Sequence, residues 1–414
     1  MNVSVVGLGK LGLPLLALLA NSGHGVVGFD KSSNLLETLE KGICPYPEPG
    51  LSDLLKSGAS NIHYVSNIEE VVLQSDVCFV IVPTPSTTSG GFDNSAVLSV
   101  CREIGLSLKK NPKKFTVDIV STVMPGSCDN EIRESLESTS GVQLGDTLGL
   151  CYNPEFIALG SVIRDMQYPD MQLLGVNSDI HAEKVETVLH SITRKETPIR
   201  RMSLVEAELV KISVNNFVTM KIAFANMLSE IADRIGNMDI DVITDAIGLD
   251  SRIGKKYLKA GTPFGGPCFP RDTKALTALL GEHGIENSLP GIVDKANASF
   301  QKYLKNSVTE KSNGKKIGIL GLSYKPDTPV IEESPGVKLL RDLTDEGLEV
   351  FGWDPLVKKG AFGLENLDVI DAIEEFTNRV EVLVITRPVP EVNKEHLDNL
   401  INKSEIIDFW RQIK

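Results

Sequence analysis

The sequence has little that would bring the chain to a nucleic acid or a membrane. Its 414 residues include 42 Lys and Arg against 55 Asp and Glu, so a formal net charge of -13 leaves no basic excess to neutralise phosphates. No run of eighteen uninterrupted apolar residues, long enough to span a bilayer, is present. We therefore predict no nucleic-acid partner and no membrane segment, and expect local basic residues to carry any phosphate binding.

Cysteine is also scarce, and its spacing forms no recognisable pattern. The chain has six cysteines without a C-x-x-C pair, which argues against a zinc site and against a disulfide framework. These cysteines are Cys44, Cys78, Cys101, Cys128, Cys151 and Cys268. We predict a reducing, cytoplasmic compartment and no bound metal.

The N-terminal segment has the pattern of a dinucleotide-binding unit. A short apolar strand ends in Gly7-x-Gly9-x-x-Gly12, an apolar helix follows to about Ser22, and a second strand over 25–29 ends at Asp30. Glycines in this position permit a tight turn and close approach of a pyrophosphate, and the acid accepts hydrogen bonds from ribose hydroxyls. An acid would repel a 2′-phosphate, so the pattern favours NAD over NADP.

Three further predicted strands end in short polar turns. They cover 77–82, 115–120 and 148–152, and the turns after them contain Thr84, Thr122 and Glu155. Because the carboxyl ends of parallel strands line the ligand crevice of an open sheet, we expect these three side chains to converge. Each is also an ordinary turn residue.

A long helix is predicted from Leu204 to Gly236, with apolar residues on nearly every face. Such a helix is expected to be buried on most sides, by the first domain and by a second subunit. Lys211 and Asn215 stand one turn apart on it and point the same way. The alternatives are a buried salt bridge with a capped neighbour, or a cation and a hydrogen-bond donor aimed at a developing oxyanion.

The segment from Phe264 to Thr273 places Gly265-Gly266, Cys268 and Asp272 just before a helical pattern over 272–283. We expect Asp272 at or near the N-cap, with Cys268 just outside the helix. The helix dipole and a glycine-rich backbone there favour thiolate over thiol. The alternatives are a buried, inert cysteine and an aspartate that only caps.

The C-terminal segment repeats the opening plan. A strand over 316–320 is followed by a polar turn with Lys325, a helix announced by Glu333-Ser334-Pro335, and a strand over 348–352 before Asp354, without the third glycine. We predict an α/β protein with two Rossmann-like, doubly wound domains joined by a long central helix in a helical domain. The predicted bounds are 1–200, 201–300 and 301–414.

Taken together, these pieces resemble the UDP-glucose/GDP-mannose dehydrogenase family nearly from end to end. The matching motifs are Gly7-x-Gly9-x-x-Gly12, Val82-Pro83-Thr84-Pro85, Ser121-Thr122-Val123, Asn153-Pro154-Glu155-Phe156, Lys211 with Asn215, Arg252-Ile253-Gly254, Phe264 to Thr273 and Ser323 to Thr328. The resemblance implies NAD on the first domain, a nucleotide sugar on the last, and a homodimer through the central helix.

The resemblance also implies a four-electron oxidation of the sugar C6 alcohol to a carboxylate, with Cys268 forming a thiohemiacetal and then a thioester. Lys211 and Asn215 would stabilise the alkoxide and later oxyanions, Asp272 or Glu155 would activate water, and Thr122 would hold the water network. Cofactor binding is assigned to Gly7, Gly9, Leu11, Gly12, Asp30, Thr84, Thr122 and Arg271. Substrate binding is assigned to Glu155, Phe156, Lys211, Asn215, Arg252, Phe264, Gly265 and Lys325, with Arg252 reaching the other subunit's ligand.

The chain departs from the family pattern at three places. Leu159 stands where a second glutamate is often found, Ile385-Thr386-Arg387-Pro388 replaces Thr-Glu-Trp, and Asp408-Phe409-Trp410-Arg411 replaces Asp-x-Arg-Asn. The last two departures lie in the predicted substrate domain, so they bear on which sugar and which base the substrate carries. UDP-glucose is the leading substrate; GDP-mannose and a UDP-N-acetylhexosamine are alternatives.

Two other functions remain open from the residues alone. A two-electron 3-hydroxyacid-type dehydrogenase also pairs a Rossmann domain with a lysine and an asparagine on a long helix, but needs neither Cys268 nor a third domain. A non-catalytic nucleotide sensor would need none of Cys268, Lys211, Asn215 and Asp272.

Overall fold

The computed structural model describes residues 1–413. Two compact units divide the chain, Met1–Ile212 and Ser213–Lys414. The boundary falls inside the long helix. The three-part division expected from the sequence stays a prediction.

The first unit is built on one eight-stranded sheet in the order β3-β2-β1-β4-β5-β6-β7-β8. All neighbours are parallel except β6 and β7, which are antiparallel. The strands are β1 Asn2–Val6, β2 Gly25–Phe29, β3 Ile62–Tyr64, β4 Val77–Val80, β5 Phe115–Ile119, β6 Leu148–Tyr152, β7 Gln172–Val176 and β8 Ile199–Met202. The central strands β4, β5 and β6 are buried on both faces, which explains their nearly continuous apolar sequence.

Helices cover both faces of this sheet and create two apolar cores. They are α1 Gly12–Asn21, α2 Ser33–Glu40, α3 Leu51–Ser57, α4 Ile68–Gln74, α5 Ser95–Lys110, α6 Arg133–Ser140, α7 Val162–Gln167 and α8 Asp179–Ile192, with a 3₁₀ turn at Ala59–Asn61 and a π-helical turn at Cys128–Ile132. Helix α1 is buried along almost its whole length. Its position against β1 and β2 sets the glycine turn that precedes it.

The long helix α9 runs from Leu204 to Ile235, as the sequence predicts. It starts at a capping box in which Ser203 Oγ accepts from the Glu206 N–H and the Glu206 carboxylate accepts from the Ser203 N–H. Within the single chain this helix is not buried on every side, and the expected burial by a second subunit stays a prediction. Several large apolar side chains along it are exposed in the single chain, among them Phe217, Phe224, Ile231 and Ile235.

The second unit contains a four-stranded parallel sheet in the order β10-β9-β11-β12. Its elements after α9 are α10 Ile240–Gly248, α11 Phe269–Glu282, α12 Leu289–Ser312, β9 Ile317–Leu320, α13 Pro335–Asp345, β10 Val350–Trp353, α14 Ile373–Arg379, β11 Val382–Ile385, α15 Lys394–Lys403 and β12 Glu405–Asp408. The next two strands in the chain, β10 and β11, lie on opposite sides of β9, so the topological switch point is between β9 and β11. Ligands of open parallel sheets bind at such points.

The structure confirms the predicted fold class, two Rossmann-like sheets with a long central helix, and corrects one helix start. Helix α11 begins at Phe269, three residues earlier than expected, with Cys268 at its N-cap and a proline in its first turn. Asp272 therefore lies inside the first turn and does not cap the helix. Among residues 1–413, no helix combines the length and the apolar composition needed to cross a bilayer.

Candidate active site

The three glycines of the turn after β1 have two different roles. Gly7 has a positive φ of 96°, and a Cβ there would overlap the carbonyl oxygen of Ile81. A Cβ on Gly12 would likewise overlap the carbonyl oxygen of Gly7. A Cβ on Gly9, by contrast, would meet nothing within 4 Å. Gly7 and Gly12 are thus required by packing, and the open side of Gly9 leaves the approach that a pyrophosphate needs.

Asp30 closes this corner at the end of β2. Its Oδ2 accepts from the Leu8 N–H at 2.9 Å and its Oδ1 from the Ser32 N–H at 2.9 Å. The residue is only half-buried, so its oxygens keep lone pairs on the open side. Leu11, at the N-cap of α1, packs against the core beside this turn. The residues present fit an adenosine ribose and a pyrophosphate.

The ends of β4 and β5 are tied together, as the sequence predicts. Thr84 is buried and its Oγ1 donates to the carbonyl oxygen of Thr122 at 2.7 Å. Ser121 Oγ donates to the carbonyl oxygen of Val82 at 2.7 Å and accepts from its N–H at 2.8 Å. These bonds hold the two polar turns in one register at the carboxyl edge of the sheet.

Glu155 and Phe156, after β6, position Lys211 of α9. The buried Lys211 Nζ donates to the carbonyl oxygen of Glu155 at 2.6 Å and lies 4.7 Å from the centre of the Phe156 ring. The ring face attracts the ammonium and restricts its position. The structure thus fixes the position of the ammonium, and its role toward an oxyanion stays a prediction.

The Glu155 carboxyl group is strongly perturbed. Burial raises its pKa to about 7, although the Lys211 charge acts in the opposite direction. A carboxyl group with a pKa near neutrality is suited to accept and return a proton. Leu159, at the position of the second family glutamate, packs against the apolar core instead. Of these two positions, only Glu155 offers an acid.

Cys268 is the exposed cysteine; of the other five, Cys44 is half-buried and the rest are buried. As the N-cap residue of α11 it lies where the free N–H groups of the first turn favour a negative charge on Sγ. Burial and the neighbouring Cys268 and Tyr257 raise the pKa of the Tyr324 phenol well above its usual value. Tyr324 thus stays a neutral hydroxyl near the sulfur. Sequence reasoning did not single out this tyrosine.

Asp272 is buried and pairs with the half-buried Asn215 beside Cys268. Asn215 Nδ2 donates to Asp272 Oδ2 at 2.6 Å, and Arg271 Nε donates to Oδ1 at 3.2 Å. The Asp272 side chain is only 1% exposed, and its backbone carbonyl accepts from Asn216 Nδ2 at 3.0 Å. Asp272 therefore fixes the orientation of the Asn215 amide. Arg271, expected to bind the cofactor, is engaged in this pair.

The glycine pair before Cys268 is required by packing within the second unit. A Cβ on Gly265 would overlap the carbonyl oxygen of Glu333, and one on Gly266 would meet the Tyr324 ring. Phe264 is buried, and its N–H and carbonyl both pair with the Asn297 side chain. The structure thus gives these residues a supporting role, holding the turn that presents Cys268.

The second sheet repeats the corner of the first and corrects the sequence reading of it. Gly321 has a positive φ of 108°, and a Cβ on Gly336 would overlap its carbonyl oxygen, as for Gly12 and Gly7. Gly336 therefore takes the place of the third glycine, which is absent at the spacing of the first corner. The loop before α13 separates it from Gly321. That loop includes Lys325, whose Nζ lies 6.0 Å from the centre of the Tyr324 ring.

Arg252 lies on the surface of the second unit. Its guanidinium forms a bidentate pair with Asp250. The expected contact with a ligand of another subunit stays a prediction.

Two residues that hold the site were not found from the sequence. Glu208, one turn before Lys211, is fully buried and accepts from the N–H groups of Gly126 at 2.6 Å and Cys128 at 2.8 Å. Arg387 is buried with Asp354 in the second sheet. For Glu208 the available signal was a charge in the mostly apolar start of α9, which it shares with Glu206 and Lys211; for Arg387 the signal was the altered motif.

Comparisons with known proteins cover nearly the whole chain. Three models of the UDP-glucose/GDP-mannose dehydrogenase family match it: the NAD binding domain over residues 1–193, the central domain over 205–299 and the UDP binding domain over 318–414.

Similar proteins of known name include enzymes for two different sugars. A UDP-glucose 6-dehydrogenase of Haloferax volcanii is 32% identical over 86% of this chain and 84% of its own length. A GDP-mannose 6-dehydrogenase of Pseudomonas aeruginosa is 31% identical over 90% of this chain and 85% of its own. Among solved structures, a UDP-glucose dehydrogenase from Pyrobaculum islandicum matches with a TM-score of 0.90 at 30% identity, covering 99% of this chain and 94% of that one.

Proposed function

Because the chain belongs to the UDP-glucose/GDP-mannose dehydrogenase family, whose members are NAD-dependent nucleotide-sugar 6-dehydrogenases, we propose that it oxidises UDP-glucose to UDP-glucuronate. The observation that carries the reaction type is an exposed Cys268 at the N-cap of α11, next to the Asn215–Asp272 pair. UDP-glucose leads because the Cys-Phe-Pro-Arg-Asp-Thr segment, which begins at Cys268, resembles the glucose-type branch more than the N-acetylhexosamine branch. GDP-mannose is the second candidate, supported by a relative of 31% identity against 32% for the UDP-glucose enzyme.

NAD is the cofactor, and it supplies the hydride acceptor for both oxidation steps. The chain's own residues would hold it at the first glycine turn, where Gly9 leaves room for the pyrophosphate and Asp30 faces the ribose. Thr84 fixes the polar turns at the carboxyl edge of the same sheet.

Lys211 and Asn215 have the task of stabilising negative oxygen. Removal of the C6 hydroxyl proton leaves an alkoxide, and the later tetrahedral species carry an oxyanion. The ammonium held by Glu155 and Phe156, and the amide held by Asp272, are donors whose direction is set before substrate binds. Preorganised donors of this kind stabilise developing charge without reorganisation. Their spacing of one turn on α9 suits them to a single reacting carbon.

Cys268 divides the second oxidation into two covalent stages. Its thiolate adds to the aldehyde carbon and forms a thiohemiacetal; loss of hydride from that carbon then gives a thioester. Water attacks the thioester, the C–S bond breaks, and the products are a carboxylate and the free thiol. We assign Glu155 as the base that takes the water proton, because its pKa of about 7 allows this near neutral pH. Asp272 is the alternative base, though both its oxygens already accept from Asn215 and Arg271.

The pH dependence follows from the Glu155 assignment. A base works in its deprotonated form, so the rate of thioester hydrolysis should rise as pH increases through about 7 and level off above it. Glu155→Gln should remove this limb and slow hydrolysis. The measurement is the pH profile of product release after a burst of NADH. An unchanged limb in the variant would transfer the role to Asp272, for which Asp272→Asn is the parallel test.

Asp30→Ala should weaken NAD binding and reduce its preference over NADP. The substitution removes the acceptor for the ribose hydroxyls and the negative charge that repels a 2′-phosphate. It also frees the Leu8 and Ser32 N–H groups, so some loss comes from the turn itself. Titration calorimetry with both cofactors measures the two affinities. Unchanged affinity for both would contradict the ribose assignment.

We also propose a homodimer through α9. The helix exposes Phe217, Phe224 and Ile231 at intervals of seven residues, the spacing by which one helix packs along another. The solution mass measured by light scattering should be about twice 45.0 kDa, and Phe224→Asp should lower it toward the single-chain value. A monomeric wild-type protein would exclude this arrangement. We also propose a cytoplasmic location, where a Cys268 thiol outside any disulfide stays reduced.

The decisive experiment is the number of NADH formed per limiting sugar. UDP-glucose, GDP-mannose, UDP-N-acetylglucosamine and UDP-galactose are supplied in parallel. Two NADH from UDP-glucose establish both the substrate and the four-electron reaction. Two NADH from GDP-mannose alone keep the reaction and correct the sugar. One NADH from any of them would contradict the role of Cys268.

A further inference from the structure

The corner at the end of β9 has the same backbone plan as the corner at the end of β1. The Gly7 N–H donates to Phe29 O at 2.8 Å, and the Gly321 N–H donates to Trp353 O at 2.9 Å. The acid after the neighbouring strand accepts from the next backbone N–H in both, Asp30 from Leu8 and Asp354 from Leu322. The two corners can therefore be compared atom by atom.

The two acids differ in what remains open to a ligand. Asp30 is half-buried and accepts two backbone bonds, whereas the Asp354 side chain is fully buried. Asp354 Oδ2 accepts from Leu322 N, Ser323 N and Ser323 Oγ, each at 2.9 Å, and Oδ1 from Leu356 N and Val357 N. Asp354 is thus occupied internally and cannot take the ribose of a bound nucleotide in the way proposed for Asp30.

Arg387 completes this internal arrangement at the switch point between β9 and β11. Its side chain is 2% exposed, and Nη2 and Nε donate to Asp354 Oδ2 at 2.9 and 3.3 Å. A Cβ on Gly321 would crowd the Arg387 stem, so the arginine also packs against the glycine turn. A buried guanidinium is costly unless its partners are close and numerous. This buried guanidinium and its partners lie at the place where an open parallel sheet binds its ligand.

The other side of Arg387 reaches the loop that carries Lys325. Nη1 donates to Glu391 Oε2 at 3.0 Å, and the second oxygen of Glu391 accepts from the Asp327 N–H at 3.0 Å. Asp327 has a positive φ of 59°, an uncommon backbone state for a residue other than glycine. A continuous series of bonds therefore runs from Asp354 through Arg387 and Glu391 to the backbone two residues after Lys325.

We propose that Arg387 and Glu391 are positioning residues that hold the loop after β9, with Lys325, in the conformation that receives the nucleotide of the substrate. The inference rests on the proposed function for the identity of the ligand as a nucleotide. Asp354 anchors one end of the series and the turn at Asp327 is its other end. The nucleotide itself is contacted by the loop and not by Arg387.

Glu391→Gln tests the proposal with little change in volume. A glutamine has one acceptor oxygen, so either the Arg387 guanidinium or the Asp327 N–H then faces an amide NH₂ group. We expect the affinity for UDP, measured by titration calorimetry on the full-length protein, to fall about tenfold, the scale of one lost charge-assisted bond. The affinity for NAD, the kcat at saturating sugar and the melting temperature should remain close to wild type.

Two further variants separate positioning from a general effect. Glu375→Gln is the matched control, because it breaks an exposed pair with Arg379 on the neighbouring helix α14 and should leave UDP binding unchanged. Arg387→Lys keeps a charge beside Asp354 but lacks the second nitrogen that bonds Glu391. The loss of UDP affinity caused by this substitution should therefore not add to the loss caused by Glu391→Gln when the two are combined. Losses that add fully would contradict a single series of bonds.

The outcomes distinguish this inference from the proposed function. If the wild-type protein binds UDP and Glu391→Gln binds it equally well, the positioning role is overturned and the proposed function is not. Equal losses for UDP and NAD would show a general destabilisation and also overturn it. A wild-type protein that binds neither UDP nor GDP would overturn the proposed function together with this inference.

Discussion

Cys268→Ser is expected to abolish the second oxidation while leaving the first. A serine hydroxyl at the N-cap of α11 is a far weaker nucleophile than a thiolate, and an ester is a poorer intermediate than a thioester. Formation of uronic acid should therefore fall by three or more orders of magnitude, roughly the scale on which loss of a catalytic nucleophile is felt. At most one NADH per sugar should appear, with the sugar left at the aldehyde stage.

Mass spectrometry of the protein after one turnover tests for a serine ester, which forms only after a second hydride loss and would contradict this expectation. Cys44→Ser is the matched control, because Cys44 is a half-buried cysteine whose Sγ only donates to the carbonyl of Tyr46. That variant should keep two NADH per sugar. Wild-type stoichiometry in Cys268→Ser would show that the sulfur is not the nucleophile.

Lys211→Ala is expected to lower kcat by about two orders of magnitude or more, the usual effect of removing one donor to an oxyanion. The ammonium is held by the Glu155 carbonyl and the Phe156 ring, and the next cation along α9, Lys221, is ten residues further on. Because the Lys211 charge lowers the pKa of Glu155, its removal should also move the Glu155 limb of the pH profile upward. Single-turnover kinetics of the first NADH isolates the alkoxide step.

The Lys211 control lies near the far end of the same helix. Arg234→Ala removes an exposed cation that pairs with Glu230, one turn away, and should leave kcat unchanged. A drop in kcat without any shift of the pH limb would mean that Lys211 and Glu155 act separately. A kcat within a few-fold of wild type would exclude Lys211 from the oxyanion site.

The first corner was predictable because its signals are local. The turn at Gly7, the helix after it and Asp30 lie within thirty residues, and each element is specified by its own apolar periodicity and its own glycines. The convergence of Thr84 with Thr122 was predictable for a related reason, since parallel strands end at one edge of a sheet.

The surroundings of Cys268 were less predictable. The sequence placed Asp272 at a helix cap, yet the helix begins at Phe269, and the carboxylate is buried against Asn215 and Arg271. A short polar segment with a proline in the first helical turn is compatible with more than one helix start. Which start occurs depends on burial of Asp272, and Asn215, which provides its partner, lies far away in the chain.

The sequence by itself determined the two parallel sheets, the central helix and the glycine turn of the first corner, because strand and helix periodicity and glycine turns are local properties. It also named the candidate reactive groups. Only the tertiary structure decided which of those groups are exposed, paired or merely structural. It assigned the third glycine of the second corner to Gly336, buried Asp354 under Arg387, and gave the Glu155 carboxyl a pKa of about 7. Such properties depend on distances between residues remote in the chain, and burial and charge act through those distances.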